Sequence, residues 1–325
     1  MLDKLIPSDF CGVVSVLRDD QPLFRKAFGY ADIPNQIPNE LNTKFAIASG
    51  GKAFVALGIM KLIKDGELSL QTRIGEVFSF DLKQLDPDIT ISQLLNHSSG
   101  LPDYYDEAAA GNYADLFKDY PNYKIRSSTD LLPLFIDKAM IFSKGQRFQY
   151  NNAGYVLLGL IIESISGLPF DIYLDSAVFS LMTMDDTGYY ELDRLPAKCA
   201  NSYILDEQTK QFYTNIYSVD VKGTGAGGTF TSVTDVEKFW RGLVTGKVIS
   251  NELFTLMTSP QTDTGEYGYG FWLNKYSGTP YFQGSDPGVS FISSFDVENR
   301  LTVTITSNLG QDVWTIHRDI TDALL

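Results

Sequence analysis

Residues 45–54 read FAIASGGKAF, and this stretch guides the interpretation of the whole chain. It places Ser49 three residues before Lys52, at the start of a predicted helix that ends near Gly66. Apolar residues recur through this helix on a broad face, which predicts that it is buried between layers rather than lying on the surface. Because positions i and i+3 share one face of a helix, the Lys52 amine can approach the Ser49 hydroxyl.

Ser49 and Lys52 are the residue types that nucleophilic catalysis needs. A serine hydroxyl is a poor nucleophile unless a base takes its proton, and burial disfavours the charged form of a lysine. The start of a helix also directs N–H groups towards a developing oxyanion. This spacing alone is a weak signal, because it also describes an N-cap serine followed by a solvated lysine. Gly50 and Gly51 strengthen it slightly, since each costs a helix roughly 1 kcal/mol relative to alanine.

A second candidate element is Tyr150-Asn151-Asn152, which directly precedes an apolar helical pattern over residues 152–166. A tyrosine hydroxyl beside a lysine can shuttle protons, and the Asn152 amide can hold a lysine amine and a substrate carbonyl together. The alternative is a buried tyrosine followed by an N-cap asparagine, and this element alone favours that simpler interpretation.

Both ends of the chain predict strands, whereas the middle predicts helices and loops. A hairpin is indicated over residues 12–30, and further strands near residues 269–273, 288–295 and 301–306. Helices are expected after Ser128, over residues 152–166, from Ser232 to Leu243, and near the C-terminus. The tract from Tyr104 to Tyr123 lacks a clear period and predicts a loop. This order favours a discontinuous α/β (α+β) fold with an antiparallel sheet and a helical insertion.

Four segments resemble, in sequence order, the signatures of one enzyme family: residues 45–54 (FAIASGGKAF), 94–101 (LLNHSSGL), 148–155 (FQYNNAGY) and 227–232 (GGTFTS). The family contains class C β-lactamases, D,D-carboxypeptidases and related esterases, and its Ser-x-x-Lys motif set is a known catalytic pattern. The similarity extends from about Gly12 to about Asn308.

The resemblance implies an antiparallel sheet flanked by helices, a mostly helical inserted domain, and an active site in the cleft between them. We expect residues 1–66 and 195–325 to form the sheet domain and residues 67–194 the helical one. The resemblance also implies roles for single residues. Ser49 would be acylated, Lys52 and Tyr150 would manage protons, and Asn152 would orient Lys52 and the substrate. His97 would anchor its turn rather than serve as a catalytic base.

The third element of the family, Lys-Thr-Gly or His-x-Gly, is altered in this chain. Phe282 occupies the position of the cation, Gln283 follows it, and only Gly284 is retained. The family's cation helps to recognise a substrate carboxylate, which Phe282 cannot do, and an amide at Gln283 cannot replace a charge. Gly284 allows a close backbone approach, so the Ser285 and Ser49 N–H groups could form an oxyanion hole. We therefore expect residues 282–285 to line the substrate site.

Composition excludes several kinds of partner. The 325 residues carry a formal net charge of −14, which disfavours nucleic acid and anionic membrane surfaces. No apolar stretch is long enough for an integral membrane segment. With two histidines and no Cys/His cluster, no metal site and no cofactor are expected. Cys11 and Cys199 are interpreted as buried free thiols, although one disulfide is also possible.

These observations predict a serine hydrolase that forms an acyl-enzyme on an ester or amide. An esterase- or peptidase-like activity on a small molecule or peptide is favoured over strong β-lactamase activity. The alternative is a catalytically weakened ligand-binding or sensor protein on the same scaffold. Residues 1–7 lack a signal-peptide pattern, so the chain as written is expected in the cytoplasm, or outside it if an export signal has been trimmed. The sequence leaves the oligomeric state open.

Overall fold

The computed structural model describes residues 2–105 and 113–325. The strands are β1 Gly12–Arg18, β2 Gln21–Phe28, β3 Tyr30–Asp32, β4 Ile37–Pro38, β5 Phe45–Ala46, β6 Tyr203–Leu205, β7 Phe212–Thr214, β8 Phe230–Thr231, β9 Trp272–Leu273, β10 Pro280–Asp286, β11 Val289–Asp296 and β12 Leu301–Ser307. The α-helices are α1 Lys52–Lys64, α2 Ile74–Val77, α3 Ile91–Leu95, α4 Asn152–Ser166, α5 Phe170–Leu174, α6 Ser180–Met182, α7 Val233–Val244, α8 Asn251–Met257 and α9 Val313–Leu324.

A six-stranded antiparallel sheet in the order β2-β1-β12-β11-β10-β9 joins the two ends of the described chain. Strand β1 pairs with β12 from Gly12 opposite Ser307 to Arg18 opposite Leu301. The inner strands β1, β11 and β12 are almost entirely buried, because helices cover both faces of the sheet. Helix α9 packs on one face and α7 on the other. The predicted fold class, an antiparallel sheet flanked by helices, is confirmed.

Helix α1 is the central element of the packing between the sheet and the helical region. Ten of its residues are buried, as the broad apolar face predicted. It packs against α4 and α5, and a single hydrophobic cluster extends from α1 through α4 and α7 to β10 and β11. Because this cluster includes residues from both predicted domains, the division at residues 66/67 and 194/195 stays a prediction.

Local sequence signals place several elements correctly. Helix α4 covers the predicted residues 152–166 and ends at Gly167, whose φ of +70° suits a glycine. Ser232 caps α7 by accepting a hydrogen bond from the Asp235 N–H. The expected helix after Ser128 is instead a 3-10 helix, Ser128–Leu134, which contains Pro133.

Other expectations need correction or lie partly outside the described residues. The strand expected over residues 269–273 is reduced to β9. In the tract from Tyr104 to Tyr123, residues 106–112 lie outside the described residues, and the described part includes the 3-10 helices Tyr113–Lys118 and Asn122–Lys124. Both cysteines are free, as predicted; Cys11 is buried and Cys199 is half-buried.

Over residues 2–105 and 113–325, no single helix has the length and apolar composition needed to cross a membrane. One pair of neighbouring helical segments in these described ranges, Asn152–Ser166 and Phe170–Met182, reaches that length and composition together, and it is bent by 75°. Most of the first segment is buried in the core.

A 3-10 helix, Ala48–Gly51, lies directly against strand β10 and precedes α1. The contact depends on Gly284, where a Cβ atom would lie 2.1 Å from the Ile47 carbonyl oxygen and 2.7 Å from the Ser49 nitrogen. These are backbone atoms, which cannot move aside as a flexible side chain can. Gly284 therefore allows the strand to approach the turn that carries Ser49.

Gly284→Ala should lower the free energy of unfolding by at least about 2 kcal/mol, since overpacking of this kind costs about 1–3 kcal/mol even where side chains can adjust. Gly154→Ala is the matched control, because a Cβ there meets nothing closer than 3.5 Å. Chemical denaturation followed by circular dichroism measures both. Equal stability of the two variants would show that β10 and the Ser49 turn do not touch in this way.

Candidate active site

Ser49 is half-buried within the 3-10 helix Ala48–Gly51, so the predicted α-helix begins three residues later, at Lys52. The preceding residue, Ala48, has a φ of +47°, a left-handed conformation that is unfavourable for a residue with a Cβ atom. The Ala48 carbonyl accepts a hydrogen bond from the Gly228 N–H at 3.1 Å. Such local strain is typical of functional turns that the surrounding structure holds in place.

Lys52 lies beneath Ser49 and is only 2% exposed. Its Nζ atom donates hydrogen bonds to Ser49 Oγ at 2.9 Å, to Asn152 Oδ1 at 2.8 Å and to the Ala226 carbonyl oxygen at 2.5 Å. The acceptors come from three separate parts of the chain, so the amine is fixed at hydrogen-bond distance from the serine hydroxyl. This is the contact that a base needs in order to take the hydroxyl proton.

Asn152 is the first residue of α4 and links Lys52 to the wall of the cleft. Its Oδ1 accepts from Lys52, and its Nδ2 donates to the Tyr105 carbonyl at 3.3 Å. The oxygen and nitrogen of the amide thus have different partners, which fixes the orientation of the side chain.

Tyr150 lies beside the same amine. Lys52 Nζ is 5.0 Å from the centre of the Tyr150 ring, and that ring stacks on Trp272 with centroids 5.7 Å apart. The structure therefore brings together Ser49, Lys52, Tyr150 and Asn152, the four residues that the sequence placed at the reacting end of the site.

His97 was expected to anchor its own turn, and the structure shows that it holds the segment of residues 149–151. It is buried, its Nδ1 accepts from the Asn151 N–H at 3.1 Å, and its carbonyl accepts from the Gln149 N–H at 2.9 Å. Burial, and then the charge of Lys52, hold the pKa of His97 well below its usual range. A neutral imidazole that accepts a backbone hydrogen bond fixes residues 149–151.

Phe282 and Gln283 do not line the cleft, which corrects the expectation for these two residues. Phe282 is 2% exposed and lies within a cluster of aromatic rings whose centroids are 5.1–6.0 Å from its own. Gln283 points to the opposite face of β10, where its Oε1 accepts from Trp314 Nε1 of α9 at 2.7 Å. Successive residues of a strand face opposite sides, and helices cover both sides here. The rings around Phe282 are those of Phe54, Phe239, Trp240, Phe271 and Phe291.

Gly284 and Ser285 do lie at the site. The Cα of Gly284 lies directly against the backbone of the turn that carries Ser49, and Ser285 lines the same cavity as Ser49. The cavity has a volume of about 780 Å³. It extends from Ser49 and Asn152 to Asp220 and Asp286, past several tyrosine side chains.

Asp103 is a site residue that the sequence analysis missed. Its carboxylate accepts hydrogen bonds from the backbone N–H groups of Asn152 at 2.6 Å and Ala153 at 3.1 Å, at the start of α4. Burial raises the pKa of Asp103 to about 6, although the N–H groups and Lys52 oppose the shift. Only the motif before it, residues 94–101, places Asp103 near the site, and no local pattern pairs it with Asn152, 49 residues away.

No group of three or more His, Cys, Asp or Glu side chains that could hold a metal ion occurs among the residues described by the structure.

The comparisons with known proteins agree with this geometry. The chain belongs to the β-lactamase family, whose model, described as Beta-lactamase, matches residues 10–323. The members of this family and their structural neighbours are serine hydrolases and penicillin-binding proteins.

Three relatives illustrate the similarity. Penicillin-binding protein 4* of Bacillus subtilis is 28% identical, over 93% of this chain and 69% of its own. The crystal structure of a penicillin-binding protein from Bacillus halodurans is 35% identical with a TM-score of 0.94, over 99% of this chain and all of that one. An octameric penicillin-binding protein homologue from Pyrococcus abyssi is 25% identical with a TM-score of 0.83, over 99% of this chain and 75% of that one.

Phe282→Lys tests the core position of this ring. An unpaired charge buried among aromatic rings should lower the free energy of unfolding by more than about 3 kcal/mol. The control Phe282→Leu should cost about 1–2 kcal/mol, because it leaves only a small cavity. Thermal and chemical denaturation measure both. If the lysine variant were as stable as the leucine variant, position 282 would be open to the cleft.

Asp103→Asn should lower kcat/KM by roughly tenfold, because it removes charge-assisted hydrogen bonds worth about 1.5–3 kcal/mol each at the start of α4. In the wild type the carboxylate is ionised above about pH 6, so activity should fall as the pH drops through about 6. This fall in activity at acidic pH, the acidic limb of the pH profile, should be absent in the variant. The exposed Asp88→Asn is the control, and an unchanged limb in Asp103→Asn would contradict the assignment.

Proposed function

We propose that the protein is a serine hydrolase in which Ser49 attacks the carbonyl carbon of an ester or amide and becomes acylated. The observation that carries this proposal is the buried Lys52 amine at 2.9 Å from Ser49 Oγ. A serine with such a partner can lose its proton as it attacks, whereas an isolated serine cannot.

The reactive form is the one in which Lys52 has lost one proton: two N–H groups remain for Asn152 Oδ1 and the Ala226 carbonyl, and the lone pair faces Ser49 Oγ. In the first half-reaction, a bond forms between Ser49 Oγ and the carbonyl carbon while the hydroxyl proton passes to this amine. The tetrahedral intermediate then expels the alcohol or amine, which takes up a proton through Lys52 and Tyr150. In the second half, a water molecule gives its proton to the same groups and attacks the acyl carbon. The acid is released and Ser49 regains its proton.

The remaining site residues support this chemistry in different ways. Asn152 keeps the Lys52 amine aligned with Ser49 through its Oδ1. The backbone N–H groups of Ser49 and Ser285 stabilise the oxyanion, since β10 passes directly behind the Ser49 turn.

The substrate is an ester or peptide-like amide rather than a β-lactam that depends on a carboxylate. Phe282, at the position of the family's cation, lies in the core and offers no charge to the cavity. Two relatives are named as penicillin-binding proteins, which supports a serine that reacts covalently with acyl donors.

The missing cation also favours a second candidate, a ligand-binding or sensor protein with weak turnover. Such a protein would keep its affinity for a ligand when Ser49 is replaced by alanine, because the binding would not depend on acylation.

Ser49→Ala should abolish hydrolysis of p-nitrophenyl esters, with a loss of at least about 1,000-fold in kcat. A panel of such esters, nitrocefin and D-amino-acid peptides, assayed on the wild type and this variant, provides the measurement. Ser98→Ala is the matched control, because the Ser98 hydroxyl donates to Asn96 Oδ1 at 2.7 Å, in the turn that follows α3. Full activity in Ser49→Ala would refute the proposal, and ligand binding without turnover in the wild type would favour the sensor.

A further inference from the structure

The cavity that contains Ser49 has an acidic lining, which bears on the substrate. Asp220 and Asp286 both line it, and none of the described residues around it is a lysine, arginine or histidine. The Lys52 amine lies below the floor of the cavity, where oxygen acceptors hold it. A carboxylate substrate would therefore meet like charge here, whereas an ammonium group would meet opposite charge.

Asp220 is the more informative of the two carboxylates. Its Oδ1 accepts a hydrogen bond from the Tyr113 hydroxyl at 3.0 Å, and it takes part in no ion pair within the described parts of the chain. The neighbouring Lys222 instead pairs with Asp171 at 2.7 Å. Burial raises the pKa of Asp220 to about 7. Such a carboxyl group would be stabilised as a carboxylate by a cation in the cavity.

A chain of direct contacts connects Asp220 with the reacting serine. Tyr113 packs edge-on against Tyr105 with ring centroids 4.8 Å apart, and the Tyr105 carbonyl accepts from Asn152, the partner of Lys52. Asp220 also lies six residues before Ala226, whose carbonyl holds the Lys52 amine. The acidic end of the cavity and the Ser49 end are thus built on the same elements.

Three tyrosines beside the two carboxylates also favour a cationic ligand. Tyr104, Tyr105 and Tyr113 all line the cavity beside the two carboxylates. The charges of Asp220 and Asp286 both act on Tyr104 and Tyr113 and raise the pKa of each hydroxyl further, beyond the effect of burial. Aromatic faces next to a carboxylate form a favourable environment for an ammonium group and offer nothing comparable to an anion.

We propose that the substrate is an ester or amide whose acyl part carries a free, positively charged amino group, which pairs with Asp220 while the carbonyl lies at Ser49. This inference rests on the proposed function and names its substrate class. The amino group stays protonated throughout, so the bonds made and broken are those of the acyl transfer described above. Asp220 is a specificity-determining residue and takes no part in proton transfer.

Pairs of ester substrates that have the same shape and differ in one charged group test the proposal. In p-nitrophenyl 2-aminopropanoate an ammonium group replaces one methyl group of p-nitrophenyl 2-methylpropanoate; 4-aminobutanoate and pentanoate form a second pair with a longer reach. Each kcat/KM is divided by the rate of hydroxide hydrolysis, because the ammonium group activates the ester by itself. The wild type should prefer the cationic member of at least one pair by about tenfold or more. Both enantiomers of the 2-amino ester are assayed.

Asp220→Asn should reduce that preference at least about fivefold, since it removes the charge and keeps the shape. Asp322→Asn, on the exposed surface of α9, makes the same change in net charge and should keep the preference. The inference would be overturned if the wild type showed no preference in either pair, or if Asp220→Asn kept it.

The two proposals fail in different ways. Loss of the preference with normal hydrolysis of the neutral esters would leave the serine hydrolase intact and remove only the cationic substrate. Absence of any Ser49-dependent hydrolysis would instead remove the proposed function. The wild-type comparison needs no variant, so it remains decisive even if Asp220→Asn fails to fold.

Discussion

The rest of the structure depends on the hydrogen bonds that hold the buried Lys52 amine beneath Ser49. A lysine amine at this depth is destabilised unless oxygen atoms replace its water, and removing one acceptor would leave an N–H group unpaired. Its acceptors belong to the Ser49 turn, to α4 and to the loop at Ala226, which are far apart in sequence. The amine is therefore satisfied only when the sheet and the helical region are packed together.

Close backbone approach is the second constraint, and it follows from the first. For Lys52 to reach Ser49, the serine must lie on a tight turn with other segments directly behind it. Gly284 from β10 and Gly227 from the preceding loop both approach so closely that a Cβ atom would collide with the backbone at residues 47–49. Phe282 anchors the same strand in the aromatic core. In this protein position 282 therefore stabilises the platform under the nucleophile and contributes no charge to the cleft.

Most of the fold could be predicted because its signals are local. The apolar periods of α1 and α4, the glycine after α4 and the valines of β1 all lie within the element they define or directly beside it. The reacting group could be predicted because its residues belong to a shared family pattern. Asp103 and Asp220 could not, since their partners Asn152 and Tyr113 are 49 and 107 residues away. The sequence pattern placed Phe282 in the cleft, but it cannot reveal the aromatic rings that enclose that side chain.

Activation of Ser49 by Lys52 is the step on which the proposed chemistry depends. The most direct measurement is the rate of covalent labelling by a fluorophosphonate, followed by peptide mapping, in the wild type and in Lys52→Met. Methionine has nearly the same length and no basic group. The label should be on Ser49, and the folded variant should react at least about 100-fold more slowly than the wild type. Labelling at another residue, or equal rates in the two proteins, would contradict it.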